Sequence, residues 1–156
     1  MIHYRFFTQW NLHYVRAEEQ CSLLDMVEYG MGLAASSGPQ SNLDLPAIFD
    51  LRGVELNNDS TDDIKRAIRL RKSFGENTGN NPCAYVVGSP GSFGIMRMYG
   101  IYAEIEGLRR EELTLITEDI EEASDWIISQ LGISPGEAQA ARRELSMLSP
   151  EPASVT

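Results

Sequence analysis

Aromatic and branched side chains form two short runs near the N-terminus, with a polar segment between them. The first run covers Ile2 to Thr8 and the second Leu12 to Val15, and Gln9-Trp10-Asn11 lies between them. Short β-type runs around a brief polar loop are typical of a β-hairpin. The pattern therefore predicts two antiparallel strands in this segment.

Beyond this hairpin, segments with helical spacing alternate with short apolar runs. The first helical segment follows Ser22, a good N-cap, and Gly30, Gly32 and the SSGPQSN run at 36–42 are predicted to end it. Further strands are predicted at residues 46–51, 84–87 and 113–116, and further helices after Ser60, after the loop at 88–94, at Thr117 and after Ser134. Strands that alternate with helices favour a mainly parallel sheet with right-handed crossovers. The expected fold is α/β in the order β-β-α-β-α-β-α-β-α, with a mainly parallel five-stranded sheet, an antiparallel N-terminal hairpin and an extra C-terminal helix.

The last predicted helix stands apart from this alternation. Ser134 is followed by a proline and, three residues after the serine, by a glutamate, which together make a strong helix start. The narrow apolar stripe of this helix consists of Ala138, Ala141, Leu145 and Leu148. The predicted division is an α/β domain over residues 1–132, a C-terminal amphipathic helix over 133–149 and a disordered tail over 150–156. The stripe must cover an apolar surface, either on the same domain or on a second copy of the chain, and the sequence leaves both open.

Composition narrows the class of protein. A length of 156 residues fits one domain, and 42% hydrophobic with 23% charged residues is typical of a soluble globular chain. The net charge of -10 argues against general binding to nucleic acid or to an anionic membrane, because both would repel it. No signal peptide or apolar run of about 20 residues is found, so a cytoplasmic location is expected. Cys21 and Cys83 form no CxxC or zinc pattern, and reduced buried thiols are favoured over a disulfide.

Three segments, in this order along the chain, resemble parts of STAS domains, the fold of the SpoIIAA anti-sigma-factor antagonists. They are FDLRGVEL at 49–56, CAYVVGSPGSFGIMRMYGIY at 83–102 and TLITEDIEEASDWI at 114–127. The second segment includes Gly94-Ile95-Met96-Arg97-Met98-Tyr99, a pattern similar to that of the SpoIIAA-like branch. The resemblance covers residues 1–132. It implies a non-enzymatic regulatory or ligand-binding domain that acts on a protein partner, and a homodimer is expected.

The same resemblance directs attention to the start of the second helix. SpoIIAA-type antagonists carry an Asp-Ser-Ser-Gly-like turn there, in which a partner kinase phosphorylates a serine. This chain has Asn58-Asp59-Ser60-Thr61-Asp62, so the glycine is missing and the acid is displaced by one residue. Ser60 and Thr61 are the phosphorylation candidates, and a plain N-cap role explains Ser60 without any switch.

The segment VGSPGSFGIMR at 87–97 places three glycines between a strand and a helix. It lacks the Lys-Ser/Thr ending of a P-loop and comes too late in the chain for a dinucleotide fingerprint. Free N–H groups at a helix N-terminus still attract anions, and ligands of open α/β sheets favour the carboxyl ends of strands. The candidate residues for a small-ligand or anion site are Ser89, Ser92, Arg97, Asp50 and Arg52. The alternative is a structural turn in which Ser89 or Ser92 caps the helix.

The sequence contains no recognisable combination of catalytic residues. His3 and His13 both lie in the predicted hairpin. If they form a cross-strand pair, their imidazoles are able to bind a metal or to act as a base. The simpler interpretation is that both are partly exposed residues of the sheet. No histidine follows Ser89, which excludes a Ser-Asp-His triad in hydrolase order. We therefore expect no enzymatic activity, no cofactor and no bound metal.

Overall fold

A five-stranded sheet in the sequential order β1-β2-β3-β4-β5 is the centre of the computed structural model, which describes residues 2–38, 41–56, 59–73 and 79–148. The strands are β1 (Ile2–Phe7), β2 (Leu12–Glu19), β3 (Ala47–Val54), β4 (Cys83–Val87) and β5 (Thr114–Thr117). The helices are α1 (Leu23–Ala35), α2 (Thr61–Lys72), α3 (Pro90–Ile105), α4 (Ile120–Gln130) and α5 (Pro135–Ser146), and a 3₁₀ turn spans Glu111–Leu113. β1 pairs antiparallel with β2, and all other pairs are parallel. The α/β class, the element order and the antiparallel hairpin are confirmed.

The helices divide unequally between the two faces of the sheet. α1, α2 and α3 each connect neighbouring parallel strands, and the strand order never reverses, so the three crossovers place their helices on the same face. Their core includes Leu23, Ile64 and Met96. The opposite face is covered by α4 and α5, whose Ile127 and Leu145 pack in a second core.

The α5 helix packs on its own domain. Ala141 and Leu145 are fully buried within the chain, in the core that covers the α4/α5 face of the sheet. Ala138 and Leu148 are partly buried against the same core. Arg5 Nη2 and Gln9 Nε2 donate to the Glu144 carboxylate of this helix at 3.4 and 3.1 Å. The stripe that the sequence left open between two surfaces therefore lies against the sheet of its own chain.

Several element boundaries differ from those that the sequence predicts. α1 runs through Gly30 and Gly32, so the prediction that these glycines end the helix was wrong, but it ends at Ala35 with Ser36 as its C-cap, at the start of the predicted SSGPQSN run. The N-cap of α4 is Asp119, whereas the Thr117 hydroxyl accepts from the Asp119 backbone N–H at 3.0 Å and lies before the helix. β3 continues to Val54, three residues further than expected, because its end pairs with β2 beyond a register shift. The predicted caps at Ser22, Ser60 and Ser134 are confirmed.

Other expectations concern cysteines, membrane spans and the tail. Cys21 and Cys83 are both free and buried. None of the helices in the described ranges has the length and apolar character that crossing a bilayer requires. Asn58, the last residue of the 133–149 helix and the 150–156 tail lie outside the described residues.

Candidate functional site

The Asp50 and Arg52 side chains form a closed ion pair on the α4/α5 face of the sheet. Asp50 is 1% exposed, and its carboxylate accepts from Arg52 Nε at 2.8 Å, from Arg52 Nη2 at 2.7 Å and from the Tyr14 hydroxyl at 2.7 Å. Arg52 Nη2 also lies 3.5 Å from the Leu148 carbonyl oxygen, beyond the end of α5. Lysine and arginine groups near a helix C-terminus stabilise it. The pair therefore anchors α5 and offers no open position to a ligand.

The N-terminus of α3 already holds a carboxylate of its own chain. Ser89 is the N-cap, and its Oγ accepts from the Ser92 backbone N–H at 3.1 Å. The buried Ser92 hydroxyl accepts from the Leu56 N–H at 3.1 Å and donates to Glu55 Oε1 at 3.3 Å. Glu55 Oε1 also lies 3.5 Å from Ser89 Oγ. The anion expected at this helix end is thus the Glu55 side chain.

The five residues predicted for a ligand site do not converge. Side chains alternate between sheet faces along a strand, so Asp50 and Arg52 share the α4/α5 face with Ile48, whereas α3 lies on the other face. Arg97 is exposed on the outer side of α3. Close backbone packing explains the glycine at position 88, because a Cβ there would lie 2.5 Å from the Arg52 carbonyl oxygen. Gly91 and Gly94 lie within α3, which begins at Pro90, so the loop predicted over 88–94 is largely helical, and only Gly88 and the N-cap Ser89 precede the helix.

The two histidines do not form a cross-strand pair. His3 lies opposite Arg16 and His13 opposite Phe6, and the exposed His3 ring contacts Glu18 at 3.4 Å. Within the part of the chain that the structure describes, no group of three His, Cys, Asp or Glu side chains is placed to hold a metal ion. The metal alternative for this hairpin gains no support.

Ser60 and Thr61 lie at the first turn of α2. Ser60 Oγ accepts from the Asp63 backbone N–H at 3.1 Å and donates to the Asp63 carboxylate at 2.9 Å, while Asp63 accepts in return from the Ser60 N–H at 2.8 Å. This is a complete capping box. Thr61, the first helical residue, is exposed.

A cavity of about 130 Å³ lies between α1 and the sheet, which the sequence did not indicate. Its floor is formed by Val15, Phe49 and Tyr85, which are direct neighbours on β2, β3 and β4. The Phe49 and Tyr85 rings stack with centroids 5.1 Å apart. The α1 side chains above it are Met26, Val27, Tyr29 and Leu33. All four are only half-buried, and Leu23 is the buried residue of this helix, so α1 covers the sheet without filling the space beneath it.

Gly30 explains part of this space. It lines the cavity, and a Cβ built on it meets nothing within 4 Å. Gly32 also has open space at its Cβ position, but it is exposed and does not line the cavity. The two glycines therefore form a matched pair in one helix, of which only one faces the cavity.

A buried guanidinium lies at the end of the cavity where the parallel strands begin. Arg109 is 8% exposed. Its Nη1 donates to Asn81 Oδ1 at 2.9 Å, and its Nη2 donates to the carbonyl oxygens of Asn81 and Leu113 at 2.8 and 2.7 Å. Nε and Nη2 also donate to Thr114 Oγ1 at 3.2 and 3.1 Å. Among the described residues, no carboxylate pairs with Arg109, and one of the two Nη1 hydrogens has no acceptor.

Further polar groups share this end of the cavity. The charges of Arg71 and Arg109 both act on Cys83, Tyr85 and Tyr99, so the two guanidiniums lie at the same end. Burial raises the pKa of Tyr85, of Tyr99 and of the Cys83 thiol, and all three stay neutral at pH 7. Tyr99 is 8% exposed and also lines the cavity. The cavity thus combines an apolar body with a positively charged, donor-rich end.

His13 closes one wall of the cavity as a neutral imidazole. Its Nε2 lies 2.7 Å from the Asn42 carbonyl oxygen and must donate to it, so Nδ1 accepts from the Tyr4 hydroxyl at 2.6 Å. Burial lowers the pKa of His13, which favours this neutral form. His13 and Cys83 are separated by β3 in the sheet, so their backbones lie about 10 Å apart. The thiol has no activating base at this distance.

The chain matches no family model, and no curated protein or solved structure is significantly similar to it. The function of the cavity must therefore be argued from its own geometry and chemistry.

Proposed function

We propose that this chain is a non-enzymatic small-molecule-binding domain whose ligand lies in the cavity beneath α1. The observation that carries the proposal is the buried Arg109 guanidinium, which has no carboxylate partner among the described residues, at one end of an apolar cavity. Buried charges in proteins are normally paired with an opposite charge. A bound organic anion would supply that charge.

The size of the cavity limits the apolar part of the ligand. The volume is about 130 Å³. An apolar cavity of about 150 Å³ accommodates benzene. The ligand body is therefore one aromatic ring or a short acyl chain, and it lies between the Phe49 and Tyr85 rings of the sheet and the half-buried side chains of α1.

The charged end selects the ligand's head group. A planar guanidinium matches the geometry of a carboxylate, and hydrogen bonds between ionised groups are stronger than neutral ones. Arg109 and Arg71 supply positive charge at this end, and the Arg109 Nη1 group has one hydrogen without an acceptor among the described residues. We therefore propose a small organic monocarboxylate as the ligand class.

Binding without catalysis fits the groups that line the cavity. The Cys83 thiol stays neutral because burial raises its pKa, and the neutral His13 is two strands away. A thiol without a base is a weak nucleophile at neutral pH. The same cavity therefore supports recognition of a ligand and offers no activated group for its conversion.

Calorimetric titration tests the proposal with two carboxylates, benzoate and hexanoate, and their neutral amides, benzamide and hexanamide. We expect the carboxylates to bind at least about tenfold more tightly than the amides, because only they compensate the buried positive charge. Arg71→Gln should reduce this preference while leaving amide affinity unchanged. Equal affinity for carboxylates and amides contradicts the proposed head group, and no binding of any of the four contradicts the ligand-binding function.

A matched pair of variants tests the location of the ligand. Gly30→Leu places a side chain in the cavity, where a Cβ meets nothing within 4 Å, and should abolish binding. Gly32→Leu makes the same change at an exposed position of the same helix and should leave binding unchanged. Equal affinities in the two variants would place the ligand elsewhere.

A regulatory role of the SpoIIAA-like type, in the cytoplasm and through a protein partner, is our second candidate function. The observation that favours it is the outer face of α3, which carries three exposed large hydrophobic side chains. The confirmed order of strands and helices is also the order that this resemblance implies. Mass spectrometry of the protein from its own cells tests the switch of that family, because phosphate on Ser60 or Thr61 is expected there, and unmodified residues contradict it.

A further inference from the structure

The outward face of α3 is apolar although no described residue of the chain covers it. Met98, Ile101 and Ile105 are 37%, 51% and 72% exposed. The inward face of the same helix packs against the rest of the domain, where Met96 and Ala103 lie in the core. Exposed hydrophobic side chains that line up on one helix face mark an interaction surface more often than scattered ones do.

The spacing of these residues is that of a helix pair. Gly94, Met98, Ile101 and Ile105 follow one another at intervals of four, three and four residues, which is the a/d pattern of a coiled coil. The buried residues Met96 and Ala103 then occupy the f positions, which lie opposite a and d. The α3 helix therefore presents its a/d seam to the outside and its opposite side to the sheet.

The charged residues that flank the seam are arranged to complement a copy of themselves. Arg97 and Glu104 both occupy g positions, seven residues apart, with opposite charges. In an antiparallel pair of helices, g faces g of the other helix. Neither residue forms an ion pair with another described residue of its own chain.

We propose that the outward face of α3 binds the α3 helix of a second copy of this chain in an antiparallel, two-fold symmetric pair. Met98 then packs against Ile101 of the partner subunit, and Ile105 packs over Gly94 of the partner subunit, where no Cβ is present and nothing lies within 4 Å of its position. Arg97 faces Glu104 of the partner subunit, and the two-fold axis repeats every contact. The partly buried Ile95 and Tyr102 flank the seam on its other side.

The outward face of α3 is complementary to the same face of a second copy of the chain. In a two-fold symmetric interface the same surface of both subunits is in contact, so each group must face a complementary group of that same surface. Here both the ion pairs and the match of a large side chain with a glycine satisfy that requirement. This surface lies on the outer side of α3, so the proposal does not depend on ligand binding in the cavity beneath α1.

Sedimentation equilibrium of the full chain over a range of concentrations tests the pair. A single helix pair is a small interface, so we expect a monomer–dimer equilibrium with a dissociation constant in about the micromolar range. Ile101→Lys places a charge at the centre of the seam and should weaken association at least about a hundredfold, while its circular dichroism spectrum stays unchanged. Met147→Lys is the control, because Met147 is 76% exposed but lies outside α3, and it should associate like the wild type.

Charge reversal separates this geometry from other modes of association. Arg97→Glu and Glu104→Arg should each weaken the dimer about tenfold, because each creates two like-charge contacts in the symmetric pair. The double variant restores opposite charges across the axis and should return to within about threefold of the wild-type constant. The proposal is overturned by a chain that stays monomeric up to about 1 mM. It is also overturned by a dimer that Ile101→Lys does not weaken, or by a double variant that associates no better than the single ones.

Discussion

The two ends of the parallel strands differ in how their buried charges are compensated: at one end an ion pair is formed, and at the other Arg109 has only neutral hydrogen-bond partners among the described residues. At the carboxyl ends, Asp50 is held by Arg52 and Tyr14, and the α3 N-terminus is occupied by Glu55. At the amino ends, the Arg109 guanidinium lies beside a cavity of about 130 Å³. A buried charge at a strand end therefore indicates a ligand site where no described residue supplies the opposite charge.

The strand order explains why the carboxyl ends of the parallel strands, where a ligand was expected, do not form a binding site. Ligands of open α/β sheets bind where the strand order reverses, because two crossovers then diverge and leave a crevice at the carboxyl ends. The order β1-β2-β3-β4-β5 contains no reversal, and α1, α2 and α3 all lie on one face. Space arises instead beneath α1, where a helix with two glycines covers the aromatic floor without filling the gap.

Removing Asp50 should have the largest effect on stability. We expect Asp50→Ala to lower the free energy of unfolding by about 3 kcal/mol or more, because it leaves the Arg52 charge partly buried and unpaired. Chemical denaturation measures this change, and Asp125→Ala, at an exposed ion pair with Arg142, is the control with little expected effect. Carboxylate affinity should stay unchanged in Asp50→Ala. A folded variant that has lost benzoate binding would place Asp50 in the ligand site.

Removing the Ser92 hydroxyl should have a smaller effect. Ser92→Ala leaves the Leu56 N–H without its acceptor in a buried position and should cost about 1 to 2 kcal/mol of unfolding free energy. Ser129→Ala, at an exposed hydroxyl that donates within α4, serves as the control in the same denaturation experiment. An unchanged stability in Ser92→Ala would mean that this helix end is not closed by the contacts described.

Alanine at the two α1 glycines should increase stability. We expect Gly30→Ala and Gly32→Ala each to gain about 0.5 to 1 kcal/mol, since alanine favours the helix and a Cβ has open space at both positions. Thermal unfolding measures the gain. Only Gly30→Ala should also weaken benzoate binding, because only Gly30 lines the cavity. A loss of stability in Gly30→Ala would contradict the open space beneath α1.

The smallest expected effect is on the pH dependence of stability. The pKa of His13 is lowered in the folded chain from its ordinary value of 6.5, because the ring is buried. The unfolded chain then binds a proton that the folded chain does not, so the His13 contribution is present above about pH 6.5 and is lost as the pH falls below it. Denaturation of the wild type and of His13→Gln at several pH values measures the difference. A wild type that loses no more stability on acidification than the variant would contradict a buried neutral imidazole.

Local patterns in the sequence predict the fold well but predict the cavity poorly. The caps at Ser22, Ser60 and Ser134 and the alternation of apolar runs depend on neighbouring residues, and the element order follows from them. The continuation of α1 through Gly30 and Gly32 depends on tertiary packing, which overrides the weak helix propensity of glycine.

The cavity residues come from distant parts of the chain. Asn81 and Arg109 meet because the amino ends of β4 and β5 are neighbours, and Arg71 reaches the same cavity from the last turn of α2. Each is unremarkable in the sequence, and no spacing rule connects them. Gly30 within the first helical segment was the available signal, since a missing side chain on the side of a helix that faces the sheet leaves space beneath it.

A titration of the ¹⁵N-labelled chain with benzoate, followed by two-dimensional NMR spectra, locates the ligand directly. We expect saturable shifts of the backbone amides of Gly30, Tyr85 and Tyr99 around the cavity, and no shifts at Ser89 or Ser92. Benzamide at the same concentration should produce much smaller changes. Shifts confined to residues 88–94 at the start of α3, or no saturable shifts at all, would contradict a ligand site beneath α1.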